Sequence, residues 1–230
     1  MSLPLTGPPK DPAQAVAVLR RAVDAGVNHI DTAQFSGPKV ANELIREALY
    51  PYPDDLVIVS KVGSVGSVRD DQGGWVPAQR PAELRAGVEE NLATLGVEQL
   101  GAVNIRRMHE HGLPAEQDVP VEDQLAEMVA LRDEGKIAGL GISTAPLTEV
   151  KAVSSEITCV QDPYSLLART TAACSSTASG PASRSWRTSH SARPFPACPR
   201  SATKTEMSRY DDKAKCRVTV TFGDVAPARH

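Results

Sequence analysis

Gly26-Val-Asn-His-Ile-Asp-Thr-Ala-Gln-Phe-Ser-Gly37 is the stretch on which the fold turns. Its first glycine stops an amphipathic run, 13–25, in which Val16, Val18, Leu19, Ala22 and Val23 lie mostly on one face. Residues 27–31 then read as a short strand that ends on a carboxylate, Asp31. A polar loop follows, and helical spacing returns over 40–49 until Pro51 and Pro53 end it. A strand set between two amphipathic helices is the repeating element of parallel α/β sheets.

The same grammar continues on the C-terminal side. Leu56-Val-Ile-Val-Ser60 is a buried strand rich in β-branched residues. Residues 80–95 form a helix with Leu84, Val88, Leu92 and Leu95 at helical spacing, stopped by Gly96. A strand at 102–105 and a helix at 121–134, with Leu125, Met128, Val129 and Leu131, lead to Gly135. Strands at 137–142 and 157–161 flank a short helix at 147–154. An open doubly wound sheet and a closed barrel both satisfy this alternation. Gly139-Leu-Gly141 lacks a third glycine and opens no long helix, so the dinucleotide fingerprint of the open fold is absent.

Composition divides the chain at Leu167, the last leucine. Residues 1–167 are read as the folded α/β part, and 168–230 as a Ser/Arg/Pro/Ala-rich tail outside it. Such a tail has too little apolar surface to offset the entropy of ordering it. Its run Cys216-Arg-Val-Thr-Val-Thr-Phe222 alternates, and is expected as an isolated strand. The abrupt loss of Ile and Leu there reads as translation out of frame. A net charge of −3 and a pI near 6.0 argue against nucleic acid and anionic membranes as partners. No apolar run is long enough to span a bilayer and no secretory signal opens the chain, so the cytoplasm is the expected location. Cys159, Cys174, Cys198 and Cys216 match no zinc spacing, and no metal site is expected.

Three further segments fall in order behind the opening one: Asn42-Glu-Leu-Ile-Arg-Glu-Ala48 with Val57-Ile-Val-Ser-Lys-Val62, Gly135-Lys-Ile-Ala-Gly-Leu-Gly-Ile-Ser143, and Val160-Gln-Asp-Pro-Tyr-Ser-Leu166. As a set, over residues 11–169, they resemble the aldo-keto reductases. The resemblance implies a (β/α)₈ TIM barrel, here partial with about six βα units, and a site at the carboxyl ends of its strands. It also implies NADPH-dependent reduction of a small-molecule carbonyl compound. Four polar residues serve the reaction in that family: a Tyr proton donor, a Lys and an Asp that tune it, and a His that orients the substrate.

Asp31 and Lys61 stand at the matching Asp and Lys positions. A lysine beside that carboxylate would form a buried ion pair and lower the pKa of a neighbouring hydroxyl. Ser36 stands where the family has Tyr, and Arg106 where it has His. A serine hydroxyl is shorter and far less acidic than a phenol, whose pKa is about 10. Arginine does not release its proton, yet it can polarise a carbonyl oxygen or hold an acidic group. Arg107 is expected to point elsewhere, and His109 and His111 to be solvated loop residues. Ser143, Thr144 and Gln161 match the residues that hold the nicotinamide carboxamide. The phosphate-reading strands of the barrel are expected to be missing. The two substitutions leave two functions in view: an impaired reductase, and a non-catalytic remnant or binding protein that keeps part of the nicotinamide pocket.

Overall fold

The computed structural model describes residues 11–35, 39–66, 75–108 and 113–163, together with two short strands at 186–187 and 217–221. Its frame is a run of parallel strands joined by helices. Helix α1 (Pro12–Asp24) leads to β1 (His29–Asp31), α2 (Val40–Leu49) to β2 (Val57–Val62), and α3 (Pro81–Leu95) to β5 (Ala102–Arg106). A small antiparallel hairpin, β3 (Ser64–Gly66) and β4 (Trp75–Pro77), interrupts the alternation after β2. Helix α4 (Val121–Asp133), β6 (Leu140–Ser143), α5 (Leu147–Ala152) and β7 (Cys159–Pro163) complete the series. Strands β1, β2, β5, β6 and β7 are neighbours in that order, all parallel.

Local signals set the helix ends. Asp11 caps α1 by accepting the Gln14 amide at 3.0 Å, and Pro12 needs no hydrogen bond in the first turn. Helix α3 starts on Pro81, with the Glu83 carboxylate accepting from the Arg80 backbone N–H at 3.0 Å and from its guanidinium, and ends at Gly96, whose φ of 70° few side chains tolerate.

Two apolar clusters give the sheet two unlike faces. Ile58, Val62, Val103, Ile105, Leu140, Ile142 and Val160 pack with helix residues such as Leu44, Leu84, Val88, Met128 and Leu131. Val59, Ala102 and Cys159, from alternate positions of the same strands, form a second small cluster. Strand alternation therefore sends one set of residues outward under the helices and the other inward. The inward set stacks in layers: Lys61, Asn104, Gly141 and Cys159 are register partners, and so are Arg106, Ser143 and Gln161.

The choice between open sheet and barrel is made by one contact. Gln161 on β7 donates to Asp31 on β1 at 2.6 Å. Four strand spacings separate β1 from β7, roughly 19 Å in a flat sheet. The sheet is therefore strongly curled, as a (β/α)₈ barrel demands and an open doubly wound sheet does not.

Three details differ from the expectation. Strands β2, β5, β6 and β7 run one or two residues further toward their carboxyl ends than the apolar runs suggested, which makes Lys61, Arg106 and Ser143 strand residues, as Gln161 was expected to be. Polar residues end an apolar run, yet the mouth of a barrel interior accepts them within the strand. Ile137 makes only an isolated bridge to Leu100 and lies outside β6. Finally, β9 (Arg217–Thr221) does not stand alone: it pairs antiparallel with β7, and β8 (Trp186–Arg187) pairs with β9. The open edge of β7 supplies the backbone partners that an isolated strand lacks. The remainder of 168–230 and the stretch 1–10 lie outside the described residues. Among those described, no helix is long and apolar enough to cross a membrane.

Gly141 is the tightest point of the interior. A Cβ there would lie 2.0 Å from Asn104 Oδ1 and 2.3 Å from Cys159 Sγ. Gly141→Ala is expected to destabilise the chain by about 1–3 kcal/mol through overpacking, read as a lower urea midpoint at unchanged slope. An unchanged midpoint would show that this layer is loosely packed.

Candidate functional site

The site is assembled on the inward faces of β1, β2, β5, β6 and β7, at their carboxyl ends. Lys61 is almost wholly buried, with 1 % of its side chain exposed, and a buried ammonium is tolerated only with close acceptors. It donates to Asp31 Oδ1 at 2.5 Å and to the Thr32 carbonyl at 2.9 Å. Asp31 Oδ2 accepts from Gln161 Nε2. Both carboxylate oxygens are thus held, one by a cation from β2 and one by an amide from β7. The expected Asp31–Lys61 ion pair is present.

Arg106 is buried, and its guanidinium carbon lies 5.9 Å from the centroid of the Phe35 ring. Phe35, itself buried, belongs to the loop that follows β1. That geometry is a cation–π contact, and it ties the end of β5 to the loop beyond Asp31. Ser36 follows Phe35 directly, but it lies outside the described residues, as do His109 and His111. Tyr50 is exposed, whereas Tyr52 is buried with its hydroxyl donating to the Leu95 carbonyl at 2.7 Å. Burial pushes the Tyr52 phenol up to about 12.

Ser143 is buried beside Gln161 in register. Thr144 adopts a positive φ of 54°, and its hydroxyl lies 2.7 Å from both the Arg107 and the Ser143 carbonyls. Its hydrogen therefore serves the turn that ends β6, leaving only its oxygen to accept from a ligand. Arg107 does point away from the interior group, as its parity requires. It forms a buried pair with Glu149 of α5 at 2.8 Å and reaches Gln124 and the Val119 carbonyl at 2.5 and 3.1 Å.

Two buried polar networks escaped the sequence reading. In one, Thr32 donates to Asn42 at 2.8 Å, Asn42 donates to Gln34 and Asn91, and Ser60 donates to Asn91 at 2.6 Å. It fastens the loop after Asp31 to α2 and α3. In the other, Gln79, Gln117 and Gln124 join the ends of β2 and β5 to α4. The available signal was a polar residue on an apolar helix face: Asn91 shares the spacing of Leu84, Val88 and Leu95, and Gln124 that of Met128 and Leu131. Asn91 replaces the partly buried Leu92 in the core-facing set.

Beneath the ion pair, Cys159 donates its thiol to Asn104 Oδ1 at 3.1 Å. Burial first, and then the charge of Asp31, push that thiol from its ordinary 9.0 up to about 12. No cluster of three or more His, Cys, Asp or Glu suited to a metal occurs among the described residues.

The chain has known relatives. The sequence profile of the Aldo/keto reductase family matches residues 1–178. Over 167 residues the chain is 44 % identical to the pyridoxine 4-dehydrogenase of Escherichia coli (strain K12), an alignment that covers 71 % of this chain and 56 % of that enzyme. The solved glycerol dehydrogenase of Gluconobacter oxydans superimposes with a TM-score of 0.60 at 26 % identity, covering 73 % of this chain and 50 % of that one. An aldo-keto reductase from Klebsiella pneumoniae, solved in complex with NADPH, shares the fold at a TM-score of 0.51 and 24 % identity, covering 66 % and 50 %. The chain spans about half the length of these proteins.

The Cys159 thiol yields a pH test. Between pH 9 and about 12 the unfolded chain loses a proton that the native thiol retains. Stability must therefore fall as pH rises through that window, by about 1.4 kcal/mol per pH unit from this group. Cys159→Ser keeps a donor for Asn104 without a titrating thiol, so its urea midpoint is expected to fall less between pH 8 and pH 10.5 than that of the parent. Parallel pH slopes for the two proteins would refute the assignment.

Proposed function

Because this chain belongs to the aldo/keto reductase family, we propose that its strand-end site binds NADPH through the nicotinamide and serves a carbonyl–alcohol couple, with proton transfer weakened by the serine at position 36. The observation that carries the reading is the Asp31–Lys61 pair, buried on the interior face at 2.5 Å with Gln161 closing the second carboxylate oxygen.

The donor set suits the nicotinamide end of that cofactor. A carboxamide offers two N–H donors and one acceptor oxygen, and the hydroxyl of Ser143 and the amide of Gln161 sit side by side on neighbouring strands to meet it. Thr144 adds an acceptor oxygen at the same strand end. NADPH, when bound, supplies the hydride. Lys61 places a fixed positive charge at the base of the site, and Asp31 holds that ammonium still. Such a charge eases proton release from a neighbouring hydroxyl and stabilises the oxyanion left behind. Arg106, fixed against Phe35, is placed to polarise a substrate oxygen or receive an acidic substituent. A serine at 36 contributes a short, weakly acidic hydroxyl to proton transfer, so the substrate oxygen must take its proton from water or through a poorly matched donor. Two of the relatives are named for alcohols, pyridoxine and glycerol, and these are the first substrates to test in the oxidative direction.

A second reading, a nicotinamide-binding protein without turnover, is favoured by the same Ser36. The two separate in one experiment. NADPH is titrated by fluorescence, and turnover is then measured in the parent and in Ser36→Tyr. The reductase reading expects saturable binding, slow turnover in the parent and a gain of about 10²–10⁴-fold in Ser36→Tyr, the range of general acid catalysis. Saturable binding with no turnover in either protein supports the binding-protein reading; absence of binding overturns both.

A further inference from the structure

Gln79 lies between the hairpin and α3, is completely buried, and takes no part in the chemistry described so far. Its Nε2 donates to the Gly63 carbonyl and, at 2.8 Å, to the Arg106 carbonyl. Those two carbonyls belong to the residue after β2 and to the last residue of β5. The strands come unusually close here: Gly63 has a φ of 97°, and a Cβ on it would lie 2.6 Å from the Arg106 oxygen. Two carbonyl dipoles converging on one point repel each other, and each needs a proton. A primary amide is the neutral side chain that carries two protons on one atom.

The rest of Gln79 is anchored from three directions. Its backbone N–H donates to Gln117 Oε1 at 2.6 Å, and its carbonyl accepts from Gln124 Nε2 at 2.7 Å. Its side-chain oxygen accepts from Gln124 Nε2 at 3.1 Å and Arg107 Nη1 at 3.4 Å. With acceptors on one side and donors on the other, only one orientation of the amide satisfies the site.

We propose that Gln79 is a positioning residue: its amide sets the gap between the carboxyl ends of β2 and β5, and so fixes where Lys61 and Arg106 present their cationic groups to a substrate. Lys61 lies on β2 two residues before Gly63, and Arg106 is held through its own carbonyl. The family reading places substrate against those two side chains, and the functional consequence of the proposal rests on it. The placement itself does not.

Gln79→Met keeps the volume and removes both donors. Its test uses ¹⁵N spectra of the full chain, following the Arg106 Nε–Hε signal and the Lys61 and Arg106 amides against those of α1, together with kcat and KM in the Ser36→Tyr background. The expected result is displacement of those three signals with α1 unmoved, and a kcat lowered by about 10²-fold, the cost of misplacing a catalytic group by about an ångström. A purely structural role would lower the melting temperature yet leave the three signals, kcat and KM at parental values below the transition, and that result overturns the proposal. If Gln79→Met does not fold, Gln124→Met decides by the same readouts, since it withdraws the support of the Gln79 amide without touching the two carbonyls. Should no variant bind NADPH or turn over, the proposed function fails while the spectral displacement still judges the positioning role.

Discussion

The carboxylate of Asp31 is the point on which the interior depends. It sits on the first strand of the described sheet, yet its two oxygens are held by Lys61 from β2 and by Gln161 from β7. A buried lysine without that carboxylate would be an unpaired charge, a defect that costs about 3–5 kcal/mol when one partner of such a pair is removed. The contact with Gln161 bends the sheet, because it is possible only if β7 has come round toward β1. Curvature, charge neutrality and the placing of the cation thus share one set of hydrogen bonds.

Around that centre, polar and apolar layers alternate for a physical reason. Val59 and Ala102 close the lower interior, and above them Lys61, Asn104, Gly141 and Cys159 are register partners. The missing side chain of Gly141 makes room for the Asn104–Cys159 hydrogen bond. Outside the sheet the order is reversed, and amides lie within the helix-packed layer. The Asn42–Asn91 network steadies the loop beyond Asp31, while the glutamine network steadies the ends of β2 and β5. Each group in these networks has geometry that a water-filled loop would not maintain.

The parallel α/β character was legible from periodicity, because apolar strands and amphipathic helices leave distinct spacings. Closure was not. Barrel and open sheet share that pattern, and the difference lies in Asp31 meeting Gln161 across 130 positions of sequence. Asp31 and Lys61 could be read from their motif, since each ends an apolar run and the residue types suit the chemistry. Gln79 could not, because its partners, the carbonyls of Gly63 and Arg106, leave no mark in side-chain identity. Arg107 was legible by parity alone: neighbouring strand residues face opposite sides, so one arginine enters the interior and the next pairs with Glu149. The pairing of β9 with β7 was likewise illegible, because an open strand edge selects its partner through backbone groups rather than side chains.

The contacts that hold the charged pair come from both ends of the parallel run of strands. The acceptors that hold Lys61, Asp31 Oδ1 and the Thr32 carbonyl, lie at the end of β1 and one residue beyond, and the amide that holds Asp31 comes from β7. Phe35 is fixed by burial and by Arg106. Where a charged pair is held from strands at both ends of a curled sheet, its geometry is a property of the fold rather than of any one loop.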